Sequence, residues 1–265
     1  MKKIVINTIQ MCLILLAFVC ISACQTSTEK STNSNESNSA IADKSESLNT
    51  LSEKEIASGW TLLFDGQSTN GWRNYQSDSI GSAWKVENGL LYLDDTNKED
   101  WQIVGGGDIM TVDPYENYEF ILEWKIEEGG NSGIIYNVVE SDEYEYVWQT
   151  GPEMQILDNE RHPDGKIEKH LAGDLYDMIS CDSMTVKPVG SWNFVRIVND
   201  NGRIEHWLNE RKVVEYDMNS EDWPQMIAGS KFKDMPGFGK SKKGHIALQD
   251  HGDMVWFRNI KIRQL

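Results

Sequence analysis

From Trp60 to the C-terminus, apolar and polar side chains alternate in short runs. The stretches "WTLLFDG", "AWKVENGLLYLDD", "YENYEFILEWKIEE", "NSGIIYNVV", "EMQILDN", "NFVRIVNDNGRIEHWLNERKVVEYD" and "GHIALQDHGDMVWFRNIKIRQL" are each bounded by Gly, Asn, Asp or Pro. A period of two with such punctuation predicts strands and hairpins. Between Phe194 and Tyr216, turn residues at Asn201-Gly202 and near Asn209-Glu210 predict a three-stranded meander, with Phe194, Arg196 and Val198 on one face and Val195 and Ile197 on the other. Helical periodicity of useful length is absent. Only "SEKEIASG", with Ser52 three residues before Glu55, reads as a capped helical turn. There is no internal repeat and no second linker, so the pattern predicts one all-β sandwich.

The first 50 residues follow other rules. Lys2 and Lys3 precede the apolar run "CLILLAFVCISA", which is short and N-terminal, as in an export signal. Its end, "ISAC", reads as a lipobox, predicting cleavage before Cys24 and lipid on that cysteine. Residues 25 to 50, rich in Ser, Thr, Asn and Glu, have little to bury and read as a flexible tether, leaving residues 51 to 265 as the single folded domain. The expected location is the cell envelope: anchored by lipid, in the outer membrane, and facing the periplasm or the exterior.

Cysteine and charge then narrow the partners. Cys12 and Cys20 leave with the signal and Cys24 takes lipid, so Cys181 stands alone and the domain relies on its core rather than on disulfides. The formal net charge is −17, and the charges of the first 50 residues cancel, so the folded part carries the whole excess. Nucleic acid and anionic membrane surfaces are poor partners for such a surface, whereas neutral ligands and divalent cations suit it.

Candidate chemistry sits where strands carry polar residues. In "EMQILDN", Glu153 and Gln155 share a face, while Asp158 joins them only if an extra residue bulges between. The pattern E-x-Q-x-x-D loosely resembles the E-x-D-x-x-E strand of retaining β-glucanases, with Gln155 in place of the central acid. In "GHIALQDHGD", Gln249 and His251 share a face with His245 and Ala247, and would stand beside Glu153 and Gln155 if the strands share a sheet. His251 there is a candidate base or, with Glu153, a divalent-metal ligand. Arg258 reads as a brace within its strand. The long connection "NERHPDGKIEKHLAGDLYDMI" is a candidate site wall contributing His162, His170, Asp174, Tyr176 or Asp177. Among ten tryptophans, Trp148 and Trp207 are candidate sugar platforms. No HxxxH, CxxC or glycine-rich phosphate loop points to an organic cofactor.

Taken in order, "GWTLLFDGQSTNGW", "WKVENGLLYL", "NSGIIYNV", "EMQILDN", "GDLYDMI", "WNFVRIV", "IEHWLNERKVVEY" and "GHIALQDHGDMVWFRNIKIRQL" resemble the 3-keto-disaccharide hydrolase domain family of bacterial lipoproteins, over about residues 58 to 265. The resemblance implies a concanavalin A-like jelly roll of two curved antiparallel sheets and cleavage of glycosides already oxidised to a ketone at C3. It also implies sugar contacts at Asn131 and Tyr136. Such chemistry needs a base for the acidified C2 hydrogen, a group to stabilise the enediolate oxygen, and an acid for the leaving group. Glu153, His251 and Asp158 are the candidate catalytic residues, with Gln155, Gln249, Asn131, Tyr136, His162 and Trp207 for substrate. Two other readings stay open: a conventional retaining glycosidase using Glu153 and Asp158, and a non-catalytic sugar-binding lipoprotein.

Overall fold

The computed structural model describes residues 48–100, 102–182 and 184–265. The export signal, Cys24 and nearly all of the tether lie outside the described residues. Leu48 to Thr50, expected in the tether, already belong to the domain. Asn49 and Asn259 exchange backbone N–H to side-chain oxygen bonds at 2.7 and 2.8 Å, and the Asn49 amide donates to Gly89 O at 2.8 Å. No helix among the described residues is long and apolar enough to cross a membrane.

Helix α1 (Glu53–Ala57) starts on the predicted capping box, Ser52 and Glu55 satisfying each other's backbone N–H groups. The strands that follow are β1 (Thr61–Leu62), β2 (Trp72–Asn74), β3 (Trp84–Glu87), β4 (Leu90–Leu93), β5 (Lys98–Glu99), β6 (Gln102–Ile103), β7 (Ile109–Thr111), β8 (Tyr118–Ile126), β9 (Asn131–Val138) and β10 (Glu153–Leu157). After the long connection come β11 (Asn193–Asp200), β12 (Arg203–Leu208), β13 (Arg211–Asp217), helix α2 (Asp222–Ala228), β14 (His245–Leu248) and β15 (Val255–Gln264).

Two antiparallel sheets form the sandwich. One has eight strands in the order β13-β12-β11-β8-β15-β4-β3, with β1 also paired to β15, and the other has five in the order β10-β9-β14-β7-β2. The predicted meander is β11–β12–β13, its turns made by Asn201 (φ 52°) with Gly202 (φ 88°) and by Asn209 (φ 50°) with Glu210 (φ 68°). These left-handed pairs match the twist of the strands they join. Leu122, Trp124, Val195, Ile197 and Phe257 from the larger sheet meet Ile134, Met154, Ile156, Ile246 and Leu248 from the smaller in one buried core. The all-β jelly-roll sandwich is therefore the observed fold.

Helix α2 was not legible in the pattern, because seven residues give only two turns. Its buried anchor is Trp223, which stacks on Tyr216 at 4.9 Å and donates its indole N–H to Gly239 O at 2.9 Å, while Met226 and Ile227 pack beside it. From it the chain passes through a short turn containing Lys231 and Phe232, which brings Lys231 over the smaller sheet.

Candidate active site

The smaller sheet has a second face, turned away from the core, and the site is built on it. The pairings Glu153↔Ile135, Ile135↔Ala247 and Ala247↔Met110 lay one row across four strands. This row is mostly apolar, and Met110, Ile135 and Ala247 pack there with Val147, Tyr75 and Trp148. Two residues further along each strand the row becomes polar: Gln155 pairs with Gly133, whose carbonyl accepts the Gln249 N–H at 3.0 Å, and Asp108 lies beyond Gln249. In this register Glu153, Gln155 and Gln249 come together as the period of two predicts.

Gly133 explains how Glu153 reaches that second row. A Cβ there would stand 2.1 Å from Glu153 Oε1 and 2.7 Å from its Cδ, so the carboxyl lies across the bare α-carbon of the neighbouring strand. Glu153 is only 5% exposed, and among the described residues no donor reaches its carboxyl. Around it, Asn131 Oδ1, Gln155 Oε1 and Gln249 Oε1 are buried without a hydrogen-bond partner. Three orphan acceptors facing one cavity are costly in a structure that uses them for nothing, and they suit a ligand rich in hydroxyl donors. The cavity, about 280 Å³, is lined by Glu153, Gln155, Gln249, Asn131, Trp148, Tyr176, Lys231, Met235 and His251.

Burial pushes the Glu153 carboxyl up to about 8; the Lys231 ammonium pulls it down and the Asp108 and Asp164 carboxylates push it up further. Burial lowers Lys231, against the pull of Glu153, Asp177 and Asp164. Lys231 Nζ lies 3.9 Å over the Tyr176 ring, at the wall of the cavity. Burial among neighbours likewise lowers His251, opposed by Asp253 and assisted by His162.

The long connection walls the cavity by running back along β10. Tyr176 N–H donates to Glu153 O, Gly173 N–H to Gln155 O, and Gln155 N–H to Asp174 O. Asp174 supports this loop rather than the ligand, its carboxylate accepting from Leu171 N–H and Cys181 N–H, both at 2.7 Å. His170 sits between Asp164 and Asp177 at 3.2 and 3.3 Å, and Asp177 accepts the Lys231 N–H at 2.6 Å. His170, Asp174 and Asp177 therefore position Tyr176 and Lys231 from behind the wall.

At one end of the cavity, His162, His251 and Asp253 each offer a ligand atom within 4.8 Å of the others, a group that could hold a metal ion. Their outer bonds orient them: His162 Nδ1 accepts Asp164 N–H at 3.1 Å, leaving Nε2 free to ligate, and Asp253 Oδ2 accepts Asn131 N–H at 2.9 Å. Two imidazoles and a carboxylate fit a divalent ion with open positions. The expected ligand pair of Glu153 and His251 is thus corrected: His251 has His162 and Asp253 as companions, and Glu153 stands outside the group.

Three other expected residues lie elsewhere. Asp158 follows a regular strand with no bulge, so its carboxylate turns away and caps the next turn, accepting Gly129 N–H at 2.8 Å and Glu160 N–H at 3.1 Å. It lines a different cavity of about 350 Å³, where among the described residues the Trp124 indole N–H is buried without a partner. Tyr136 has the parity of Ile134 and points into the core, its hydroxyl 2.7 Å from both His206 Nε2 and Tyr216 OH. Trp207 belongs to the larger sheet, under the Arg196 guanidinium at 4.2 Å, with its N–H on Glu205. Arg258 braces its strand through Glu123. Lys231, Met235, Asp253 and Asp108 were not singled out from sequence. The H-x-D spacing of His251 and Asp253 was a usable signal, whereas nothing local marks Lys231.

The profile of the 3-keto-alpha-glucoside-1,2-lyase-like domain matches residues 59–263. A 3-keto-disaccharide hydrolase of Bacteroides thetaiotaomicron is 35% identical over 243 residues, 84% of either chain. A candidate glycosyl hydrolase of Parabacteroides distasonis ATCC 8503, known from a crystal structure, is 34% identical and superposes with a TM-score of 0.75, covering 83% of this chain and all of that one. A second from the same organism is 29% identical with a TM-score of 0.57, covering 78% and 99%. The matched span holds every residue of the pocket, and the chain belongs to the 3-keto-alpha-glucoside-1,2-lyase-like domain family.

Proposed function

We propose that this chain is a glycoside-cleaving enzyme that acts on sugars already oxidised to a ketone at C3, by elimination across C1 and C2 followed by hydration. The observation that carries this reading is the buried, undonated Glu153 carboxyl, raised to about 8 among three unpaired amide oxygens. A ketone at C3 acidifies the C2 hydrogen, and a carboxylate poised near working pH is suited to remove it. Gln155, Gln249 and Asn131 would take the sugar hydroxyls. The Lys231 ammonium, in the same cavity over the Tyr176 ring, would meet negative charge developing on the C3 oxygen. His162, His251 and Asp253 would hold a divalent cation, which supplies Lewis-acid stabilisation of that oxygen. A retaining glycosidase is disfavoured, because Asp158 is committed to backbone N–H groups in another cavity and Glu153 lacks it as a partner.

We also infer that Cys24 carries lipid and places the enzyme in the cell envelope, at the outer membrane. The test of function is incubation of the full chain, in detergent, with a 3-keto glucoside and with its unoxidised parent, each with and without EDTA. Cleavage of the keto sugar alone, lost in Glu153→Gln and on chelation, is expected. Cleavage of the parent would replace this reading with an ordinary glycosidase, and binding without cleavage of either would replace it with a sugar-binding module.

A further inference from the structure

Asp158 or a loop histidine was expected to protonate the leaving oxygen; Asp158 lies outside the site, His162 stands in the metal-holding group and His170 is held between Asp164 and Asp177, so that role is open. The polar row across the smaller sheet continues past Gln249 to Asp108. The pairs Ala247↔Met110 and Leu248↔Ile109 put Asp108 opposite Gln249, on the face that carries Glu153. Since Glu153 leans over Gly133, its carboxyl and Asp108 are rooted two strands apart, about 10 Å at ordinary strand spacing. A pyranose ring fits between such groups.

Asp108 itself lines a second cavity. The second, about 350 Å³, is lined by Gly105, Gly106, Gly107, Asp108, Tyr146 and Asp250. It adjoins the first through the consecutive residues Gln249, Asp250 and His251, and through Tyr146 stacked on Trp148 at 5.0 Å and 9°. Its floor is bare backbone held firmly: Gly107 N–H donates to Asp250 Oδ2 at 2.6 Å, and a Cβ at Gly106 would meet that oxygen at 2.1 Å. The glycines let Ser82, Asp250 and Asn74 pack closely on this loop, and the cavity opens over it beside the exposed Tyr146 ring. Asp108 Oδ1 accepts the Asp250 N–H at 2.9 Å, and among the described residues no donor reaches Oδ2.

We propose that Asp108 protonates the departing glycosidic oxygen, and that the cavity beside it receives the aglycone, a neutral sugar or aryl group. This rests on the elimination reading above. A sugar in the Glu153 cavity with its aglycone over the triglycine loop puts the bond between them at Asp108. Glu153 takes the C2 proton, that electron pair forms C1=C2, and the C1–O bond breaks as the Asp108 acid gives its proton to the leaving oxygen. Water then adds at C1, returning one proton to Asp108, while C2 regains a proton from Glu153; the sum is hydrolysis. Burial and the adjacent Asp250 carboxylate, which outweigh the Asp250 N–H bond, raise Asp108 to about 7 and so help keep a proton available.

The experiment compares the full-length wild type with Asp108→Asn on two 3-keto glucosides, one with a 4-nitrophenyl and one with a methyl aglycone. Nitrophenolate departs without a proton and methoxide does not. The expected result is a loss in kcat/KM of about 100-fold or more on the methyl glycoside, and within about tenfold on the aryl one. Residual aryl turnover shows that the variant is folded. Equal losses, or no loss, on the two substrates overturn the role of Asp108. A wild type that cleaves neither keto glucoside overturns the functional reading, and this inference with it. Tyr146→Ala should raise KM for a 3-keto disaccharide several-fold more than for the methyl 3-keto glucoside; equal effects overturn the aglycone cavity.

Discussion

At the residue scale, Glu153 combines poor stability with useful chemistry. Its pKa is 4.5 in an unfolded chain and about 8 in the folded one, so between those values the native state holds more protons than the unfolded state. Stability is therefore fullest below pH 4.5 and falls as pH rises towards 8, by on the order of 2 to 4 kcal/mol. Glu153→Gln removes that fall: its melting temperature should exceed the wild-type value by a margin that grows from pH 5 to pH 9, while turnover is lost. A constant margin would mean that Glu153 ionises normally. Gly133→Ala places a methyl on the carboxyl and should lower kcat/KM by about 100-fold, read beside a near-native far-ultraviolet dichroism spectrum. Glu153, Gln155 and Gln249 were legible because parity along a strand is a property of sequence. The part played by Gly133 was not, since only pairing sets a glycine beneath a carboxyl.

At the scale of elements, polar residues with similar local patterns take different roles. Tyr136 looked available for sugar, yet it ties the sheets together through His206 and Tyr216. Tyr136→Phe should cost about 1 to 2 kcal/mol of stability and leave KM unchanged, because the lost bonds lie in the core. Asp174 is likewise internal to the loop it shapes. Asp174→Ala strands two backbone N–H groups and should cost about 2 to 3 kcal/mol, or roughly 5 to 10 °C in melting temperature by calorimetry. The long connection was marked in sequence as a wall by its length alone. That His170, Asp174 and Asp177 stand behind it, with Tyr176 in front, depends on hydrogen bonds that tie it to β10 and to Lys231.

At the scale of the whole molecule, the site gathers β9, β10, the segment after β14, the long connection and the turn after α2 over one sheet face. His162 and Asp253 are 91 positions apart in the chain, and the fold brings their ligand atoms together. Added Zn²⁺, Mn²⁺ or Ca²⁺ should raise the melting temperature of the wild type, by about 2.7 kcal/mol of linkage at a hundredfold excess over Kd, and leave the His162→Ala, His251→Ala double variant unmoved. An equal shift in both proteins would place the metal elsewhere.

The amino-acid sequence by itself determined the sandwich, the meander turns, the capped first helix and the shared face of Glu153 and Gln155. All of these follow from side-chain parity, turn conformation and capping, which act over a few residues. Tertiary structure alone decided that Asp158 leaves the site, that Tyr136 and Trp207 serve other layers, that Lys231 lines the Glu153 cavity, that Asp253 joins His162 and His251, and that Asp108 stands opposite Gln249 on the same sheet face. Those outcomes depend on which strands pair, in which register, and where long connections cross. Such contacts join residues from 18 positions apart (Glu153 and Ile135) to 137 (Ala247 and Met110), and no periodicity records them.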